Sequence, residues 1–162
     1  MAVHLAESSD AASSHSPSGI DDFATRSHDH ILLAARIALG IIFALSGYAK
    51  LAGLAAFSAS LAARGVPEPW LWGPVGAVVE FVGGMSIMIG LRVRYAALMM
   101  IVFVVVATAI SHRFWGLLDP QQFRAQQTQF MKNLAIIGGF MALFAVGGGR
   151  FTIETLWPRN GR

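Results

Sequence analysis

Apolar residues run almost without interruption through residues 31–51, 69–91, 95–111 and 130–146, and polar segments separate the four runs. A helix needs roughly 17–25 largely apolar residues to cross a bilayer. The pattern therefore predicts four membrane-spanning helices, the third and fourth each lengthened by a flanking turn. Between the first two runs, Leu54, Phe57 and Leu61 recur at helical spacing until Gly65 and Pro67 stop the pattern. That segment reads as a short interfacial or re-entrant helix. Pro69 suits the first turn of the second span, where a missing N–H costs nothing. The brief link "GLRVRY" forces spans two and three into an antiparallel hairpin, whereas residues 112–129 read as a longer polar loop. The fold class is all-α, an integral membrane four-helix bundle with a short interfacial helix between spans one and two.

Residues 1–30 show no sustained apolar period and are rich in Ser, Asp, Ala and His, so they read as a disordered polar tail. Residues 31–157 form the membrane domain, and 158–162 a short basic tail. The first thirty residues hold no apolar core and the first run has no small-residue cleavage site, so span one is expected to stay in the mature protein. The tail's histidines, His28 and His30 among them, have nothing to fix a coordination geometry, and no metal site is expected.

Composition supports a membrane chain: 55% of the 162 residues are hydrophobic and 13% charged, too apolar for an ordinary soluble domain. The formal charge of +3 conceals a split, with one Arg against five acids in residues 1–30 and eleven bases against four acids afterwards. In such a chain the excess base belongs at lipid headgroups, and nucleic acid is not an expected partner. Cysteine is absent, which excludes thiol exchange and thiolate metal sites on this polypeptide. A redox role would require a bound cofactor or a partner. Four spans put both termini on one side with the second loop. Arg26, Arg92, Arg94, Arg150, Arg159 and Arg162 stand there against Lys50, Arg64, Arg113, Arg124 and Lys132. Counting the two lysines as span residues leaves six against three and predicts cytoplasmic termini.

The polar residues inside the spans are the candidate chemistry. Glu80 lies near the middle of the second run, where a charge costs at least about 2.5 kcal/mol unless it faces the protein interior and finds a partner. At 100° per residue Gly73, Gly76 and Gly84 share its face, which predicts a close helix contact. In span one, Arg36, Gly40, Phe43, Gly47 and Lys50 share a narrow face. An Arg36–Glu80 pair is the expectation, with Lys50 or Lys132 as the alternative partner. Thr108 and His112 share a face of span three, and Lys132 and Asn133 open span four. Lys50, His112 and Lys132 are expected to gather at one side of the membrane, as a cluster able to accept an anion or a quinone carbonyl or to relay protons. Each has a plainer reading. Arg36 and Glu80 would fix helix register, Lys50 and Lys132 would snorkel at span ends, and His112 would be an interfacial hydrogen-bonding group. The methionines are fillers, and "GGGR" at 147–150 is a helix stop.

The segments "ARIALGIIFALSGYAKL", "RGVPEPW", "VVEFVGGMSIMIGLRVRYAAL", "ATAISHRFW" and "QFMKNLAIIGG", in this order over residues 34–153, resemble the DoxX family of small bacterial membrane proteins. The resemblance implies a four-helix bundle in the inner membrane and marks Arg36, Lys50, Glu80, His112, Lys132 and Asn133 as the polar pattern. Related proteins include the small subunit of an archaeal thiosulfate:quinone oxidoreductase and a mycobacterial membrane anchor for soluble redox enzymes. The expectation is a membrane subunit or anchor of a redox or detoxification system, with a quinone as candidate cofactor. Its partners would be the lipid bilayer, soluble redox enzymes and further copies of the chain. Glu80 would accept a proton, Lys132 or His112 would donate to a quinone oxygen, and Arg36 would orient Glu80. A non-catalytic scaffold or envelope-integrity protein is the alternative, followed by a small-solute or proton transporter.

Overall fold

The structure, a computed structural model, describes residues 19–156. Among these, six helices and no strand are present: α1 Gly19–Ala52, α2 Leu54–Ala63, α3 Pro69–Ile89, α4 Val93–Ser111, α5 Pro120–Val146 and α6 Ile153–Leu156. Four of them, α1, α3, α4 and α5, are long and apolar enough to cross a membrane, and α2 is the short apolar helix expected between the first two.

Two boundaries differ from the sequence reading. α1 begins at Gly19, so residues 19–30, read as part of a disordered tail, are helical, with Asp21 and Asp22 in the first turn where carboxylates suit the helix dipole. The rest of that tail, residues 1–18, and the basic tail 158–162 lie outside the described residues. α5 begins at Pro120, ten residues before the fourth apolar run, so the loop read as 112–129 ends at Asp119. The Asp119 side chain accepts from the Gln121 N–H at 3.0 Å, and Pro120 occupies the first helical position. This cap starts the helix in polar sequence, which a reading by apolarity passes over.

The C-terminal part of α1 packs antiparallel on the second half of α3, α3 and α4 form the hairpin, and α5 lies against α4. The Phe43 and Phe140 rings, centroids 5.5 Å apart, join α1 to α5. Ile87, Ala97, Met100, Val104, Phe140 and Leu143 make up most of the buried apolar core between them. The hairpin turn is tight because Gly90 and Arg92 both take left-handed backbone conformations, φ 79° and 46°, and the N–H groups of Gly90 and Leu91 both return to Ser86 O.

Helix α2 extends the course of α1. A Cβ at Gly47 would lie 2.5 Å from the Phe81 N, and Gly73, eight residues earlier on α3, packs on Ser58 of α2. The residue pairs 47–81 and 58–73 therefore follow one antiparallel track, broken at Gly53. The first half of α3 is covered by α2 and the second half by α1.

Candidate functional site

Glycine brings α1 and α3 into backbone contact. A Cβ at Gly84 would meet Ala44 N at 2.6 Å and Gly40 O at 2.7 Å, and one at Gly40 would meet Gly84 O at 2.6 Å. Gly76, placed on the same stripe by helical periodicity, instead faces α4, its Cβ position 4.0 Å from the Phe103 ring. Along this seam the Lys50 ammonium donates to the Glu80 Oε2. The Glu80 side chain is 5% exposed and that of Lys50 31%. The Lys50 Nζ also sits 5.2 Å from the centre of the Phe57 ring of α2, a cation–π contact. Lys50 thus stands in the last turn of the first span, where its ammonium turns inward to Glu80 and to the Phe57 ring of α2.

The expected Arg36–Glu80 pair does not form. Arg36 lies fourteen residues before Lys50 on α1, about 21 Å along the axis. At its level lies Gly90, the residue that caps α3, whose Cβ would fall 2.7 Å from Arg36 Nη1. Arg36 is fully buried, and its guanidinium reaches the chain that follows α5. Nη1 donates to Gly148 O at 2.6 Å and Nη2 to Phe151 O. Nε has no acceptor among the described residues. Arg36 therefore ties the first span to the C-terminal loop, and Glu80 takes the alternative partner, Lys50.

The other candidates also meet near neighbours. His112 caps the end of α4, its N–H donating to Thr108 O at 2.9 Å, and its Nδ1 is 2.9 Å from Gln126 Oε1 on α5. Asn133 Nδ2 donates to Thr108 Oγ1 at 2.7 Å, a second polar link between these helices. Lys132, one position along from Asn133, is exposed. The expected basic gathering is thus divided: Lys50 joins Glu80, His112 joins Gln126, and Lys132 faces outward. Sequence reasoning missed Gln126, Phe57 and the carbonyls of Gly148 and Phe151. Gln126 lay in a segment taken for loop, and the "GGGR" stretch, read only as a helix stop, supplies one of the acceptors for Arg36.

Two open cavities lie at the ends of the bundle. One, of about 500 Å³, is formed by the α3–α4 turn and the chain after α5. The other, of about 390 Å³, is bounded by Arg64, Arg113 and Gln126. Neither is lined by Lys50, Glu80 or Lys132.

Four apolar helices, a lysine–glutamate pair on a glycine seam and a buried arginine can be set beside known proteins. The DoxX family model matches residues 31–113, about half of the chain. The chain belongs to the DoxX family. It is 33% identical over 125 residues to the inner membrane protein YqjF of Escherichia coli strain K12, covering 77% of this chain and 90% of that one. It is 28% identical over 124 residues to the inner membrane protein YphA of the same strain, covering 76% and 88%. No solved structure matches. This DoxX-family chain is a multi-pass inner-membrane protein in contact with lipid. The family match holds α1 to α4 with Arg36, Lys50, Glu80 and His112, and stops before α5 with Lys132 and Asn133.

Proposed function

We propose that this protein is a non-catalytic inner-membrane anchor or subunit of a redox or detoxification system, in which the buried polar residues lock the helices. One observation carries the reading. Glu80, the residue best placed for proton chemistry, is held by Lys50 in a seam where the α1 and α3 backbones touch through Gly40, Gly47 and Gly84. A quinone ring needs a slot beside its hydrogen-bonding groups, and the two open cavities lie away from this pair. The redox association rests on the family resemblance, and soluble redox enzymes are the partners it suggests. Cytoplasmic termini are the orientation favoured by Arg26, Arg92, Arg94 and Arg150 at the end where α1 starts and α5 finishes. Exposed apolar residues on α5, such as Leu134, Met141 and Phe144, leave room for a second copy as well as for lipid.

The deciding experiment purifies the protein and Glu80→Gln from native membranes in mild detergent and quantifies quinone and proteins by mass spectrometry. The same proteins held by both forms, without stoichiometric quinone, is the expected result. About one quinone per chain in the wild type, lost from an intact Glu80→Gln, would replace the anchor by a quinone-reactive subunit.

A further inference from the structure

The end of the bundle where α3 turns into α4 collects positive charge around an open cleft. Its volume is about 500 Å³, and Gly90, Arg92, Arg94, Tyr95, Gly148 and the carboxylate-bearing Glu154 lie in its wall. Arg36 stands directly behind this wall. Its Nη1 lies 2.7 Å from the Cβ position of Gly90 and 3.3 Å from that of Gly148, and both acceptors of its guanidinium are neutral carbonyls. A full positive charge with no carboxylate on it is thus buried behind the cleft.

The front of the cleft adds two more guanidiniums whose bonding capacity is only partly used. Arg92 meets Glu154 through Nε at 3.3 Å, and Arg94 donates from Nη2 to Ala145 O at 3.2 Å. Both Arg92 and Glu154 are well exposed, so their pair is weak. The Arg92 main-chain N–H also donates to Glu154 Oε1 at 3.1 Å, whereas the two terminal guanidinium nitrogens of Arg92 and the Nε and Nη1 of Arg94 make no hydrogen bond among the described residues. On α1, Asp29 accepts from the Arg150 N–H at 3.1 Å, and Asp21 and Asp22 stand about two turns further out. Among the described residues in and immediately around the cleft, Arg36, Arg92, Arg94 and Arg150 outnumber Asp29 and Glu154. Arg92 is also held at φ 46°, a conformation rare for a side chain of its size.

An oxyanion with several acceptor oxygens answers both the excess charge and the unused N–H groups. The position narrows its source. The cleft opens where three apolar helices end, with Tyr95, Leu91 and Val146 exposed beside it, which is the level of lipid headgroups, with an apolar rim along which acyl chains can lie. We propose that this cleft is a binding site for a phosphate group, carried by an anionic phospholipid of the surrounding membrane or present as the free anion, with Arg92 and Arg94 as its ligands and buried Arg36 as fixed positive charge behind it.

Native mass spectrometry of the full-length protein tests this, with equimolar phosphatidylglycerol and phosphatidylcholine added to delipidated sample and, in parallel, titration calorimetry with inorganic phosphate. The wild type should retain phosphatidylglycerol severalfold over phosphatidylcholine. Arg92→Gln/Arg94→Gln should weaken that retention by roughly fivefold for each guanidinium removed, Arg92→Lys/Arg94→Lys should keep most of it, and Arg113→Gln at the opposite end should leave it unchanged. Such lipid selectivity assigns the headgroup as the source. Arginine-dependent binding of inorganic phosphate without lipid selectivity assigns the free anion, and either outcome upholds the site. Phosphatidylglycerol retention that survives the double Gln substitution overturns it. So does a wild type that neither distinguishes the two lipids nor binds inorganic phosphate, a result that does not depend on any variant folding.

Discussion

Lys50 and Glu80, thirty residues apart, close a charge pair between α1 and α3 beside the break that separates α1 from α2. The two partners are unequally buried, Glu80 almost completely and Lys50 by about two thirds. Their loss should therefore be unequal. Lys50→Met leaves a carboxylate without its cation in a closed seam and should cost about 3 kcal/mol or more, or force Glu80 to take up a proton. Glu80→Gln keeps an acceptor for a lysine that already has partial solvent access and the Phe57 ring, and should cost about 1 kcal/mol. Reversible unfolding of the purified variants in mixed micelles measures both. If Glu80→Gln proves the more damaging, the carboxylate does more than hold register.

Some glycines touch backbone, some touch side chains, and a few touch nothing. Gly84→Ala places a methyl within 2.6 Å of the Ala44 N and 2.7 Å of the Gly40 O, atoms that move only if α1 and α3 separate. A loss of about 1–3 kcal/mol is expected from such overpacking. Gly138→Ala meets no atom within 4 Å and should be neutral or stabilise by up to about 1 kcal/mol through helix propensity. Equal thermal midpoints for the two variants would mean that the seam does not close as described.

Much of this was legible in the sequence. Apolar run length placed the cores of all four spans, and the recurrence of Leu54, Phe57 and Leu61 placed α2. The face of α1 that carries Arg36, Gly40, Phe43, Gly47 and Lys50 is the buried face, and angular periodicity alone was enough to show it. Pairing across helices was not legible, because it depends on axial register. Periodicity gives the direction in which Arg36 points, whereas its height relative to Glu80 is set by how the seam glycines interlock. The Arg36 acceptors were hidden for another reason. They are main-chain carbonyls more than a hundred residues away, and a carbonyl has no letter in a sequence. The first turns of α5 escaped because a polar helix carries no apolar signal, although Asp119 and Pro120 mark its start.

Asn133 offers a limited effect. Its bond to Thr108 joins two helices that also pack together and share a core cluster with Val104 and Phe140, and interhelical hydrogen bonds of this kind average about 0.6 kcal/mol in membranes. Asn133→Leu should therefore change the unfolding midpoint very little. Loss of partner proteins in that variant, with stability kept, would move Asn133 from a helix link to a docking residue.

Arg36 should tolerate substitution least. Its guanidinium fork satisfies two carbonyls, Gly148 O and Phe151 O, from one buried position, and the two acceptors are three residues apart on a loop tied to α1 also by the Arg150 N–H bond to Asp29 and by packing around Leu32 and His30. Arg36→Lys keeps the charge but replaces the planar fork with a single ammonium, which cannot span both carbonyls in the same geometry. Arg36→Met removes the donors altogether and leaves two carbonyls to find others, at about 1–3 kcal/mol for each that stays buried and unsatisfied. The order of stability should be wild type, then Lys, then Met. The damage should begin in the loop after α5, so limited proteolysis should cut within residues 147–156 before the membrane helices unfold. If Arg36→Met proves as resistant to cleavage there as the wild type, the C-terminal loop is held by packing alone and the arginine serves only as the fixed charge behind the cleft.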